Sequence, residues 1–336
     1  MPAETVFLDS NGWVALLNQR FSVVLAVKKS RLVKELLVCL LAEVVFLASM
    51  AGACHAAAAP AAATLAGKQP NLRVLTWNLQ LLPTAIEQFS AKLRKSQHLR
   101  APWIMDYLNH QDYDIVVLEE VIDPAITEDL KRGLREHYPY IVAPASRKGV
   151  AGASGGILFA SRIPLQYITH IAFKHVAGVD AWADKGCTLV EAEKDGVRFQ
   201  IAGTHLQAGH QDMKDMEYKE LADAIILPHK KEGVPLILMG DMNTKPGTDK
   251  FDLLLKTTKM KAFPIDDPSP FTSDALNSWH PGKTHSGKPD HVLLNPRGTG
   301  TTIVRQTIQR ARKEYEGKTI DLSDHYGLVA DILLKQ

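Results

Sequence analysis

From residue 72 onward the chain alternates two hydrophobic patterns. Short runs of apolar and β-branched residues alternate with longer stretches in which apolar positions recur every three or four residues. The first pattern predicts strands and the second helices, because side chains repeat every two residues along a strand and about every 3.6 along a helix. Strands are expected at Leu72 to Trp77, Ile115 to Glu119, Tyr138 to Ala143, Gly156 to Ala160, Cys187 to Ala192, Val197 to His205, Leu236 to Gly240, His291 to Leu294 and Leu328 to Leu334. Helices are expected at Trp103 to Asn109, Ala125 to Glu136, Gln211 to His229 and Asp249 to Leu255. In the Gln211 helix, Met213, Met216, Leu221, Ala222 and Ile225 fall near helical spacing, which predicts an apolar core face. No repeat of fixed period appears, so residues 71–336 are expected to form one α/β domain.

The preceding segment has another pattern. Lys28, Lys29, Arg31 and Lys34 lead into an apolar stretch, Leu36 to Met50, broken at Glu43 and followed by an alanine-rich tract. Positive, then apolar, then small residues is the layout of a secretory signal peptide, expected over about residues 28–58. The protein is therefore expected to be secreted or periplasmic. The apolar stretch is shorter than the 18 or more residues that span a bilayer well. The 27 residues ahead of Lys28 exceed an ordinary leader, which leaves open a start downstream of Met1. Lipidation at Cys54 is a minor alternative, and the Ala/Pro tract that completes the 1–66 extension reads as a linker.

Composition narrows the class without naming a function. Hydrophobic residues at 46% and charged residues at 23% exclude a disordered chain and a polytopic membrane protein. Lys and Arg number 39 against 37 Asp and Glu, so no global basic field marks a nucleic-acid binder. Three cysteines, two of them in the expected leader, exclude a disulfide framework. Cys187 is expected to be a small buried residue.

Candidate chemistry collects where expected strands end. Asn78, Glu120, His205, Asp241 and Asn243 follow strands, Asp290 opens one, and Asp324 and His325 precede one. Strands of one sheet lie side by side, so residues at one rim converge although distant in sequence. Singly, each has an ordinary explanation: Glu119 and Glu120 as a solvated acidic pair, residues 240–243 as a turn, His205 as a structural histidine, residues 323–325 as a cap. Together they mix carboxylates with amides and histidines. Oxygen ligands of this kind suit Mg²⁺, or less specifically Mn²⁺ or Ca²⁺, and that points to phosphate-ester chemistry. A histidine beside an aspartate can deprotonate water, and a second histidine with an asparagine can stabilise charge on phosphorus.

The order of these residues carries a family resemblance. L-T-W-N-L (75–79), D-I-V-V-L-E-E-V (114–121), G-T-H-L (203–206), L-M-G-D-M-N (238–243), P-D-H-V-L (289–293) and L-S-D-H-Y-G-L-V (322–329) resemble the endonuclease/exonuclease/phosphatase superfamily of the deoxyribonuclease I-like fold. Within it, T-H-L-Q-A (204–208) and the Asp180 to Gly186 segment with its Lys185-Gly186 pair look like the neutral sphingomyelinase branch, which includes bacterial sphingomyelinase C. The glycine strand and turn at 154–157 and 161–164 are shared more widely.

The resemblance implies a four-layer α/β sandwich, two mixed sheets face to face with helices outside. It implies a Mg²⁺-dependent phosphodiesterase of the phospholipase C type, with sphingomyelin as the leading substrate. Carried over, Glu120 is the main metal ligand with Asn78 beside it and Asp241 in the metal set, while Asp324 assists catalysis at the metal or through the hydrogen-bond network. His325 is the general base, oriented by Asp290; Asp241 and Asn243 orient water and a phosphate oxygen. His205 stabilises the transition state or protonates the leaving alkoxide, and Lys185 joins Asn243 and His205 in substrate binding. The implied partner is a phospholipid or sphingolipid head group at a membrane surface, met by a monomer with no obligate protein partner.

There are departures. The stretch Ile303 to Leu322, where secreted relatives carry an aromatic hairpin, has Tyr315 as its single aromatic and instead holds Arg305, Arg310, Arg312, Lys313 and Lys318. These cations could draw the protein to anionic lipid or another polyanion. Gln80 stands where several nuclease relatives have an aspartate, and His291 replaces a common aromatic. A nuclease or other phosphodiesterase or phosphatase of the same fold is the alternative enzyme; a non-catalytic module binding lipid or protein is the alternative of another class. Nucleic acid is the less favoured substrate, given the near-zero net charge.

Overall fold

A computed structural model of the chain describes residues 69–82, 91–145, 154–177 and 183–336, and every structural statement concerns these. The expected leader and linker, residues 1–66, lie outside them, as do Asp180, Ala181 and Trp182.

Two sheets form the centre. The first has the strand order β10-β13-β1-β2-β4-β3, with β1 (Leu72–Leu81), β2 (Ile115–Val121), β3 (Tyr140–Val142), β4 (Leu158–Ser161), β10 (Thr302–Gln309) and β13 (Gly327–Leu333). The second has the order β5-β6-β7-β8-β9, with β5 (Leu165–Ala172), β6 (Gly186–Lys194), β7 (Val197–His205), β8 (Leu236–Asp241) and β9 (Asp290–Asn295). Both sheets are mixed: β1 runs parallel to β2 and β7 parallel to β8, while the other named pairs are antiparallel.

Alternation along the strands sorts the core into layers. Val74, Ile115, Val117, Phe159, Val190, Ile201, Ile237, Met239 and Leu328 meet between the sheets. The alternate residues Leu75, Trp77, Val116 and Leu118 face outward onto Ile104 and Leu108 of α1 (Ala91–Asn109) and onto Ile126, Leu130 and Leu134 of α2 (Pro124–Leu134). On the far side Leu189, Ala202 and Leu238 meet Tyr218 of α3 (Gln211–Glu220) and Leu254 of α4 (Asp249–Thr258). Helix, sheet, sheet, helix is the expected four-layer sandwich. Strands buried on both faces explain why their sequences read as nearly continuous apolar runs.

Several elements differ from expectation. β5 and β10 lie at sheet edges and are largely exposed or half-buried, so their apolar signal is weak. The hairpin of β11 (Arg312–Tyr315) and β12 (Lys318–Asp321) is mostly charged. Its Tyr315 packs against Trp103 of α1, with ring centroids 5.2 Å apart. Helix α1 starts earlier than expected and carries Pro102 inside it. The Gln211 helix changes to a π-helical turn at Leu221–Ile226, and its first part does not bury the expected face: Met216 is 42% exposed, while Lys214, Glu217 and Tyr218 are buried.

Candidate active site

The two parallel pairs deliver the first part of the site, one from each sheet. At the ends of β1 and β2, Asn78 pairs in register with Glu119, so Glu120 follows at the rim; at the ends of β7 and β8, His205 pairs with Asp241. Asp290 opens β9 directly opposite Asp241, and His325 stands just before β13. Parallel neighbours end at the same rim, which is why residues so far apart in sequence meet.

Local backbone aims these groups. Glu119 and Val117 point between the sheets, so simple alternation would turn Glu120 away; the positive φ of Glu120, 56°, and the irregular register after Asn78 redirect it. Asn243 (φ 46°) and Gln80 (φ 51°) are also left-handed. Gly240 has φ 143°, and a Cβ there would lie 1.8 Å from the Thr204 carbonyl oxygen. Gly240→Ala should therefore cost at least about 2 kcal/mol through strain and overpacking, read as a lower urea midpoint at an unchanged m-value. A variant with the wild-type midpoint would contradict the close approach of β7 and β8.

The side chains form one connected network. Asn78 Nδ2 donates to Glu120 Oε1 and to Asp241 Oδ2, each at 3.1 Å. Its Oδ1 accepts from the Gln80 backbone N–H at 3.1 Å, and Gln80 Nε2 donates to Asp324 Oδ2 at 2.8 Å. Asp241 Oδ1 accepts from Asn243 N–H at 2.9 Å. His205 Nε2 lies 3.6 Å from Asp241 Oδ2, 3.8 Å from Glu120 Oε1 and 3.4 Å from Asn243 Nδ2. His325 Nδ1 meets Asp290 Oδ2 at 2.9 Å and lies 3.9 Å from Asp241 Oδ2. Lys185 is buried and donates to the Leu206 carbonyl at 3.2 Å, beside the Asn243 amide that donates to the same oxygen at 2.9 Å. Thus Asn78, Glu120, His205, Asp241, Asn243, Asp290 and His325 converge; Asp324 joins through Gln80, and Lys185 through the loop after His205.

Electrostatics follow from burial and neighbours. Burial, reinforced by the Asp324 carboxylate, pushes Glu120 up to about 7, although Lys185 opposes this. Burial alone would lower His325, but Asp290 and then Asp241 outweigh it and hold the imidazole well above its usual value. Burial would raise Asp241, yet His325 and His205 bring it below the usual carboxylate range. Glu119, wholly buried between the sheets and accepting from Thr76 Oγ1, is driven well above the usual range by burial. It is a buried carboxyl biased toward its protonated form, not half of a solvated pair.

Two donor sets could hold a cation. Asp241, Asp290 and His325 offer ligand atoms within 4.8 Å of one another. The expected set, Glu120, Asp324, Asp241 and Asn78, offers oxygens alone, and the repulsion between Glu120 and Asp324, two of its three carboxylates, gives a divalent ion something to neutralise. In the first set His325 Nδ1 is already engaged by Asp290. If Glu120 is a ligand, protons compete with the metal as pH falls through about 7. The rise in melting temperature caused by Mg²⁺ should then be larger at pH 8 than at pH 6 and vanish in Glu120→Gln. An equal rise in that variant would remove Glu120 from the metal set.

Sequence reasoning missed the supports beneath the site. Arg100 of α1, 1% exposed, donates to the carbonyls of Leu79 at 2.9 Å, Leu322 at 2.7 Å and Gln80 at 2.8 Å, and its guanidinium lies 5.1 Å from the Trp279 ring centroid. It ties the end of β1 to the turn bearing Asp324 and His325. Trp77 Nε1 donates to the His325 carbonyl at 2.8 Å, and Ser323 Oγ to the Asn78 carbonyl at 2.6 Å. Ser323 was visible in its motif; a lone arginine within a helix gives no such signal. His291 is buried against Phe251, lowered to about 4 by burial, and its Nε2 meets the Thr244 carbonyl at 2.8 Å, a supporting role. The basic stretch is partly neutralised: Arg310 grips Asp267, Arg312 grips Asp321 and Arg305 lies near Asp266.

A model of the Endonuclease/Exonuclease/phosphatase family matches residues 75–325. The chain belongs to this family. Among curated members it is similar to sphingomyelinase C of Leptospira interrogans, 27% identical over 59% of this chain and 39% of that protein. The chain thus spans less than half the length of the first curated relatives it matches. Among solved structures it is similar to sphingomyelinase C from Streptomyces griseocarneus, with a TM-score of 0.63 at 23% identity, covering 78% of this chain and 99% of that one. It is also similar to a double mutant of beta toxin from Staphylococcus aureus solved with bound magnesium ions, TM-score 0.64 at 20% identity, covering 78% and 99%. These likenesses share the two-sheet fold of the family. Among the described residues no helix is long and apolar enough to cross a membrane.

Proposed function

We propose that this family member hydrolyses phosphodiesters with a divalent cation, Mg²⁺ for preference, by the phospholipase C route, and that sphingomyelin is its leading substrate. The observation that carries the reading is the single rim on which the His325 and Asp290 pair faces His205, Asp241, Asn78 and Glu120. The sphingomyelinase C relatives favour the lipid substrate.

Each residue has a task that its contacts allow. With Nδ1 engaged by Asp290, His325 has Nε2 left to accept the proton of a water attacking phosphorus. Asp241, held ionised by two histidines, and the Asn243 amide orient that water and a phosphate oxygen. His205, nearly buried between Glu120 and Asp241, places its Nε2 where charge builds on the phosphoryl group, or where the departing alkoxide takes its proton. Glu120, Asn78 and Asp324, with Asp241, would hold the cation. When bound, it supplies neutralisation of the phosphate charge and polarisation of the reacting phosphorus. Lys185, through the Leu206 carbonyl, braces the wall on the substrate side. We further propose that the protein acts as an exported monomer at a lipid surface.

The test is product release with and without Mg²⁺ from sphingomyelin vesicles, phosphatidylcholine vesicles and duplex DNA in parallel. Phosphocholine from sphingomyelin, lost with EDTA, is the expected result. Cleavage of DNA alone would keep the phosphodiesterase chemistry and overturn the lipid substrate. No turnover of any of the three would remove the enzymatic reading and leave a binding module.

A further inference from the structure

The face that α3 turns inward is polar. Lys214 is 1% exposed, and Glu217 and Tyr218 are fully buried, at positions i, i+3 and i+4, which share one side of a helix. Each meets one of the two loops that carry catalytic candidates. Lys214 Nζ donates to the Asn243 carbonyl, Glu217 Oε2 accepts from the Gln207 backbone N–H at 2.9 Å, and Tyr218 Oη lies 2.7 Å from Thr244 Oγ1. Gln207 is two residues beyond His205, and Thr244 follows Asn243.

The same loops are bound to each other. Asn243 Nδ2 donates to the Leu206 carbonyl at 2.9 Å, and the Leu206 N–H to the Asp241 carbonyl at 2.9 Å. The Gln207 side chain exchanges two hydrogen bonds with the Ala177 backbone, at 3.0 and 3.1 Å, which fixes the outer wall as well. Burying an ammonium and a carboxylate is costly where an apolar face would pack as well. What the polar groups add is direction. They hold backbone atoms, including the carbonyl of left-handed Asn243, where an apolar contact would permit sliding.

We propose that Lys214 and Glu217, with Tyr218, are positioning residues: a clamp on one helix that fixes His205 and Asn243 relative to each other. The inference rests on the roles proposed for those two residues. It predicts a loss in turnover that exceeds the loss in binding, because a misplacement of about 1 Å at reacting groups costs on the order of 10²-fold.

The experiment uses the full chain with Lys214→Met, Lys214→Arg and Tyr218→Phe. The readouts are kcat and KM on bis(p-nitrophenyl) phosphate and on sphingomyelin vesicles with Mg²⁺, thermal melting, and the ¹⁵N imidazole signals of His205 without substrate. Lys214→Met is expected to lower kcat about 10- to 100-fold, with KM moving about 3-fold or less, and to shift the His205 signals. Lys214→Arg should recover most of both. A folded Lys214→Met protein with wild-type kcat and His205 signals would overturn the clamp. So would an arginine variant as impaired as the methionine one at wild-type melting temperature. Should Lys214→Met fail to fold, Tyr218→Phe decides: a fall in kcat of about 3- to 10-fold with little change in melting supports the clamp, and an unchanged kcat overturns it. If the wild-type protein cleaves neither substrate, the catalytic reading fails by itself, and the His205 signals alone judge the clamp.

Discussion

His325→Ala is expected to lower phosphodiester turnover by at least about 10²- to 10⁴-fold, the usual worth of a general base. The fold should persist, because the ring is held at the rim by Asp290 and is not part of any of the three apolar clusters. Turnover and thermal melting measured on one preparation test this. The residual activity should still respond to Mg²⁺, since Glu120 and Asp324 do not depend on the imidazole for their bond to Asn78 or Gln80. A folded variant turning over near the wild-type rate would remove His325 from the chemistry.

Asp290→Asn should act on both rate and pH profile. Burial pulls His325 down while Asp290, foremost, and Asp241 raise it, so the wild-type ring keeps its proton well above the usual histidine range. A general base works only when neutral; activity should therefore climb as pH rises through that value. Removing the Asp290 charge lowers it, and the acid limb moves toward lower pH. The maximal rate should also fall about 10²- to 10⁴-fold, because the amide can present the wrong hydrogen-bonding face to Nδ1. A kcat profile across pH 5 to 10 would read both effects at once. An acid limb that stays in place would show that some other group than His325 sets it.

Much of this architecture could be read in the sequence because its central strands are buried on both faces. β1, β2, β7 and β8 appear as dense apolar runs, and the polar residue that ends each run is a rim residue. β5, β10 and the β11–β12 hairpin left no comparable trace, since edge positions tolerate charge and leave one side to solvent. The inner face of α3 departs from the expected one for a physical reason. Apolar spacing identifies Met213 and Met216, but backbone atoms of two loops fill the space beneath the helix, and they require Lys214 and Glu217. Arg100 escapes notice for the same reason: its partners are carbonyls, which have no sequence signature.

The pairing of β1 with β13 also sets an order of events in synthesis. Leu72 is opposite Ile332, and Asn78 and His325 belong to turns that lock together across that seam. Chain closure between such distant segments is slow, and β1 has an open edge until β13 arrives. A nascent chain would carry Glu120 and Asp241 well before His325 is in place. The convergence of Asn78 with His325 is therefore completed only when β13 pairs with β1, as a single closing step rather than a gradual one.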